Sequence, residues 1–213
     1  MTGERATMSI RAHENLKLHG NVPDNCSVVL LLVDVINDLD FPRNAALVKI
    51  APTLASNISR LKGRCKELGI PVIYANDNHG RWRSDISAVL NHCLRPDSPG
   101  RRFVEVLAPE SGDYIVLKPK HSVFYATPLD TLFSYLAVKT VILAGLTTNS
   151  CILSSASEIY VRDFQLCVPS DCVAAVSATQ HRTALNLMKE SFGADTTPSS
   201  KIDLRKLLRP ARR

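Results

Sequence analysis

The chain has 213 residues, a formal net charge of +6 and a mean hydropathy of zero. That length is enough for one well-buried core and suits a single domain, and nowhere do about 18 apolar residues run together as a membrane-crossing helix requires. Much of the positive excess lies in two clusters, Arg81, Arg83, Arg95, Arg101 and Arg102 in the middle and Lys201, Arg205, Lys206, Arg209, Arg212 and Arg213 at the end. The terminal run reads as a solvated tail with no aromatic residues interleaved to stack bases, which argues against nucleic acid as a partner, whereas the middle cluster lies in a long loop where Arg81, Arg83 or Arg102 could meet an acidic substrate or a neighbouring subunit.

In chain order, residues 1–25 form a polar, poorly periodic N-terminal extension. A strand is predicted over 27–34, where an apolar, largely branched run suits burial on both faces of a parallel sheet and ends in Asp34. A helix follows over 45–68, with Ile50, Leu54, Ile58 and Leu61 at helical spacing and Gly69 and Pro71 to stop it. A strand over 72–76 leads into a loop-rich segment, 77–112, broken by Pro96, Pro99, Gly100, Pro109 and Gly112, with one short helix over 85–93. Next come a strand over 114–117 that runs into Lys118, a helix over 128–137, a strand over 140–145 and a helix over 149–162. A strand over 164–169, a helix over 178–191, a short strand near 194–196 and a final helical turn complete the pattern. Strands that alternate with helices in this way predict an α/β fold: a single-domain, three-layer αβα sandwich around a mostly parallel, Rossmann-like sheet of about six strands. The domain is expected to span 26–200, with 201–213 as a basic, solvated C-terminal tail.

The apolar strand Val141-Ile142-Leu143-Ala144 breaks at Gly145 and leads to Cys151 where a helix should begin. A helix N-terminus favours anions, so the position predicts a depressed thiol pKa and a reactive thiolate. Most free cysteines are simply small buried apolar residues; what singles out Cys151 is its company. Asp34 and Lys118 also end strands, and in open α/β sheets ligands bind outside the carboxyl ends of the strands. Asp34, Lys118 and Cys151 therefore form a candidate site.

These residues resemble the isochorismatase-like cysteine hydrolases, which include nicotinamidases and N-carbamoylsarcosine amidases. The resemblance runs from about residue 26 to about residue 198. It rests on Leu32-Val33-Asp34-Val35-Ile36-Asn37-Asp38, on Lys118-Pro119-Lys120-His121-Ser122-Val123-Phe124, and on Gly145-Leu146-Thr147-Thr148-Asn149-Ser150-Cys151. It implies a triad with Asp34 as general base, Lys118 as charge balance and Cys151 as nucleophile. It also implies a cis peptide between Leu146 and Thr147, with the Thr147 and Cys151 N–H groups as the oxyanion hole. Ile36, Asn78, Trp82, Phe124 and Leu146 are then expected around the substrate. The sequence departs from the family at Ile36, where Gln is common, and at Asn149, where Asp is frequent.

The chemistry expected is cleavage of a small carboxamide or ureido compound: the thiolate attacks the carbonyl carbon, nitrogen leaves as ammonia or an amine, and Asp34 then activates the water that cleaves the thioester. No cofactor is expected. Isochorismatase-type vinyl-ether hydrolysis, a silent binding protein of the same fold and a thiol redox role are the rivals. Asp77-Asn78-His79 resembles part of the divalent-metal site of nicotinamidases, but Asp85 stands where the second histidine would be, so a turn capped by Asp77 is preferred and no metal ligand is assigned. Trp82 is either a wall of the pocket or a packing anchor. The cysteines Cys26, Cys65, Cys93, Cys151, Cys167 and Cys172 show no zinc-ligand spacing. With no apolar leader segment at the start, a cytoplasmic protein is expected. The length of 77–112 and its Trp82, Phe103, Val104 and arginines point to a homo-oligomer, and the family resemblance implies a dimer or tetramer.

Overall fold

The structure is a computed structural model and describes residues 26–78 and 85–209. Six strands form one sheet: β1 (Val28–Val33), β2 (Val72–Asp77), β3 (Tyr114–Lys118), β4 (Thr140–Leu146), β5 (Gln165–Cys167) and β6 (Val173–Ala174). The order is β3-β2-β1-β4-β5, β6 also pairs with β4, and every pairing is parallel. All of β1 is buried, and its side chains alternate between two cores. Val28, Leu30 and Leu32 meet helices α1 (Ala45–Glu67), α2 (Ile86–Cys93), α3 (Arg101–Leu107) and α7 (Leu204–Leu207). Val29, Leu31 and Val33 meet α4 (Leu129–Leu136), α5 (Leu153–Val161) and α6 (Ala178–Phe192). This is the expected three-layer α/β sandwich.

Four details differ from expectation. Ile50 is 42% exposed, because the inward stripe of α1 is Leu47, Ala51, Leu54, Ala55, Ile58 and Leu61. The segment expected to be mostly loop carries a second helix, α3, which buries Phe103, Val104 and Leu107. The sheet gains β6, whereas the strand expected near 194–196 is one bridge between Cys167 and Asp195. The C-terminal stretch expected to be solvated is folded as far as described: Ile202 and Leu204 are buried, and the Arg64 guanidinium donates to the Ser199 and Ile202 carbonyls at 2.6 Å each. Among the described residues no helix is long and apolar enough to cross a membrane.

Candidate active site

The sheet delivers its polar residues to one edge because its strands are parallel. β1, β3 and β4 all point the same way, so Asp34, Lys118 and the turn after Gly145 emerge together at their carboxyl ends. Asp34 turns the chain with φ 52°, a left-handed conformation that Asp tolerates better than most residues. Gly145 is required beside it: a Cβ there would stand 2.0 Å from the Val33 carbonyl oxygen, and its φ is 120°. Buried Asn76 fixes the chain after Asp34, accepting the Ile36 N–H at 3.0 Å and donating to the Ile36 carbonyl at 2.8 Å.

Lys118 is fully buried, with its ammonium 2.9 Å from Asp34 Oδ2, 3.1 Å from the Lys120 carbonyl and 3.5 Å from Cys151 Sγ. Asp77 Oδ2 is farther, at 3.9 Å. The other Asp34 oxygen accepts the Asp77 N–H at 2.7 Å. Burial pushes the Asp34 carboxyl above the usual range, although Lys118 and the Cys151 thiol pull the other way. Burial also opposes the Lys118 charge, but Asp34, Cys151 and Asp77 outweigh it and raise its pKa. Asp34 and Lys118 thus lie in direct contact, and each holds its proton more tightly than usual.

Cys151 lies in a π-helical turn, Thr148–Ile152, that opens α5; such turns are frequent at functional sites. Ser155 Oγ ties this turn to the Lys118 loop by donating to the Cys151 carbonyl at 2.6 Å and accepting the Val123 N–H at 3.3 Å. The expected depressed thiol pKa is not what the structure holds. Burial, then the Asp34 charge, push the thiol up to about 12 against the pull of Lys118. Desolvation and a facing carboxylate outweigh the helix end, so at neutral pH Cys151 is a thiol hydrogen-bonded to Asp34.

The model of the isochorismatase domain matches residues 28–199. The chain belongs to the isochorismatase family. It is 34% identical over 173 residues to the uncharacterized isochorismatase family protein YaaI of Bacillus subtilis (strain 168), covering 81% of this chain and 94% of that one. It is 29% identical over 168 residues to the isochorismatase of the same organism, covering 77% of this chain but 53% of the relative, so it spans about half of that protein. Among solved structures, N-carbamoylsarcosine amidase from Thermoplasma acidophilum superposes with a TM-score of 0.65 at 25% identity, covering 83% of this chain and 99% of that one.

In this isochorismatase-family hydrolase the Leu146–Thr147 peptide is cis. Of the residues expected around a substrate, Asn78 directly follows β2 and is buried, its N–H donating to the Lys118 carbonyl at 3.1 Å. Three others are buried. Ile36 is wholly buried in the α1-side core, and Leu146 packs in the same core. Phe124 is buried between an edge-on Phe133 and the Arg162 guanidinium, 4.2 Å from its ring centre. Trp82 and His79 lie outside the described residues, as do Arg81 and Arg83. Asp85 caps α2, its Oδ1 accepting the Ala88 N–H at 2.8 Å.

Sequence reasoning missed His121. Its Nδ1 stands 3.5 Å from Cys151 Sγ and 3.4 Å from Ser150 Oγ, and the residue is exposed. The available signal was its position in the Lys118 loop, three residues after the lysine. It missed Thr148 and His181 as well, which meet at 3.0 Å beneath the same turn. Burial, then Arg182, lower the His181 pKa, so this ring is neutral at neutral pH.

Proposed function

We propose that the protein is a cysteine amidohydrolase that cleaves a C–N bond of a small carboxamide or ureido compound. The observation that carries this reading is a thiol held between a carboxylate and an ammonium at the carboxyl edge of a parallel sheet. Asp34 takes the Cys151 proton as sulfur bonds to the carbonyl carbon, and Lys118 offsets the charge gathered on both groups. The backbone N–H groups of Thr147 and Cys151 are the donors proposed for the tetrahedral oxyanion. Asp34 returns its proton to the departing nitrogen, and a thioester on Cys151 remains. Burial suits this carboxylate to both tasks, because a raised pKa makes its acid form a competent donor nearer to neutrality.

Vinyl-ether hydrolysis is the reading suggested by the isochorismatase relative. An enol ether is cleaved after protonation at carbon, which calls for a general acid and leaves Cys151 without a task. Six unpaired cysteines accord with a reducing compartment such as the cytoplasm. The test is an ammonia-release screen over small amides, ureas and carbamoyl amino acids, with Cys151→Ala as the blank. Release that depends on Cys151 is the expected result; hydrolysis that persists in the variant overturns the reading.

A further inference from the structure

We propose that His121 is the general base that activates water to cleave the Cys151 thioester, a second proton-transfer group distinct from Asp34. This inference rests on the cysteine amidohydrolase reading and adds a division of labour to it. Two nitrogen groups approach Cys151 Sγ at 3.5 Å, from opposite settings. Lys118 comes from the interior, fully buried and engaged with Asp34 and the Lys120 carbonyl. His121 comes from an exposed position at the mouth, where Ser150 Oγ also meets its Nδ1.

Asp34 is poorly placed for the second half of the reaction. It is 5% exposed, one oxygen accepts the Asp77 N–H and the other faces Lys118. Once Sγ carries an acyl group, the inner side of sulfur is closed by Asp34 and Lys118. Water must then reach the carbonyl carbon from the side where solvent touches the protein. The exposed His121 imidazole, already within 3.5 Å of the sulfur, stands on that side.

The protons balance with one base for each half. In acylation Asp34 removes the thiol proton and gives it to the leaving nitrogen, which restores the carboxylate. In deacylation the His121 imidazole removes a proton from water as its oxygen bonds to the thioester carbon. The tetrahedral intermediate collapses, the C–S bond breaks, and the imidazolium proton passes to the departing sulfur. Acid leaves and the thiol, carboxylate and neutral imidazole are restored.

p-Nitrophenyl acetate tests this without knowledge of the natural substrate, since its acyl transfer reports acylation as p-nitrophenolate and deacylation as the steady rate. In His121→Ala the release should become a burst stoichiometric with enzyme, followed by a steady phase slower by about 100-fold, the loss typical of a general base. Intact mass and peptide mapping should find one acetyl group held on Cys151, and added imidazole should restore turnover. His121→Gln, which keeps hydrogen bonding but not basicity, should behave as the Ala variant does. A steady phase within about threefold of the unaltered protein overturns the role of His121 and leaves the nucleophile intact. Loss of the burst itself in a folded variant moves His121 to acylation and overturns the proposal too. Failure of the unaltered protein to acylate at Cys151 overturns both this inference and the reading beneath it.

Discussion

Lys62 and Lys118 are both buried lysines paired with carboxylates, and they serve the two ends of one strand. Lys62, on α1, lies 2.7 Å from Glu110 and 2.8 Å from Asp113, just before β3 begins, and 2.9 Å from the Tyr74 hydroxyl. Lys118 closes β3 and faces Asp34 at 2.9 Å, but its next side-chain neighbour is a thiol at 3.5 Å. Burial opposes the charge on each, and in each the polar partners win and raise the pKa, oxygens alone for Lys62 but Cys151 as well for Lys118. Burial and ion pairing therefore do not mark the lysine proposed to act in catalysis. Its marks are a thiol among its partners and a place at the carboxyl edge of the sheet, where ligands bind in open α/β folds. Lys62 is surrounded by oxygen on every side and ties α1 to the start of β3.

Exchanging the damage between these lysines gives the largest expected effect. Lys118→Ala should lower turnover by about 1,000-fold on any substrate found, since it removes charge balance needed in the transition state. Lys62→Met should leave turnover per folded molecule within about twofold. Kinetics normalised to the folded fraction by circular dichroism decide it. Comparable losses in the two variants would show that both lysines act only through the fold.

Stability should show the reverse order. Removing one partner of a buried ion pair costs about 3–5 kcal/mol, and Lys66, 2.9 Å from Asp113, keeps Lys62→Met near the low end. For a chain of this size about 3 kcal/mol lowers Tm by about 9 °C. Lys118→Ala should lose less, because Asp34, whose pKa is already raised by burial, can take up a proton and leave no buried charge. Thermal melts of both variants measure this, and a larger drop for Lys118→Ala contradicts it.

Asp34 allows a sharper separation of charge from catalysis. Burial and then the Asp34 charge hold the Cys151 thiol up at about 12, while Lys118 lowers it. Asp34→Asn removes the raising charge and leaves the lowering one, so the thiol pKa must fall. At pH 8, well below the starting value, each unit of fall gives about tenfold more thiolate. Iodoacetamide should therefore modify Cys151 about tenfold faster in Asp34→Asn even as amide turnover is lost. Slower modification would mean that Asp34 activates the thiol toward every electrophile. In the unaltered protein the acid limb of kcat/KM should lie above the ordinary carboxylate value of about 3.9, since Asp34 must ionise to act.

The contrast between the lysines also explains what the sequence could disclose. Asp34, Lys118 and Cys151 were legible because each interrupts or follows an apolar strand, and parallel strands of known direction bring such ends together. Lys62 was hidden: on α1 it sits in a pattern where a lysine ordinarily marks the solvated face, and only the tertiary fold brings Tyr74, Glu110 and Asp113 around it. The helix α3 escaped because it is short, follows Pro99 and Gly100, and has no side-chain cap to announce it. Ile202 and Leu204 were obscured by the basic residues around them, although both are buried. The thiol pKa was misjudged for a related reason. The helix end is written in the sequence, whereas desolvation and the facing carboxylate depend on three-dimensional distance.

The smallest effect is expected from chelation. A metal at the edge of this site would draw on Asp77 and Asp85, the carboxylates that flank the segment 79–84. Asp77 Oδ2 is 3.9 Å from the Lys118 ammonium, whose charge repels a cation, and Asp85 Oδ1 is committed to the α2 cap. Among the described residues no group of His, Cys, Asp and Glu is arranged to hold a metal. Because Asp85 stands where the resembling metal site would have a histidine and caps α2 instead, prolonged dialysis against EDTA or dipicolinate should leave turnover unchanged within about twofold. Asp85→Ala should fray α2 by about 1 kcal/mol, as the loss of an N-cap does, without altering any metal dependence. Activity that disappears on chelation and returns with zinc, manganese or iron would instead place a cation beside Asp77. Lys118 would then share its charge-balancing role with a metal, and the contrast with Lys62 would rest on the thiol alone.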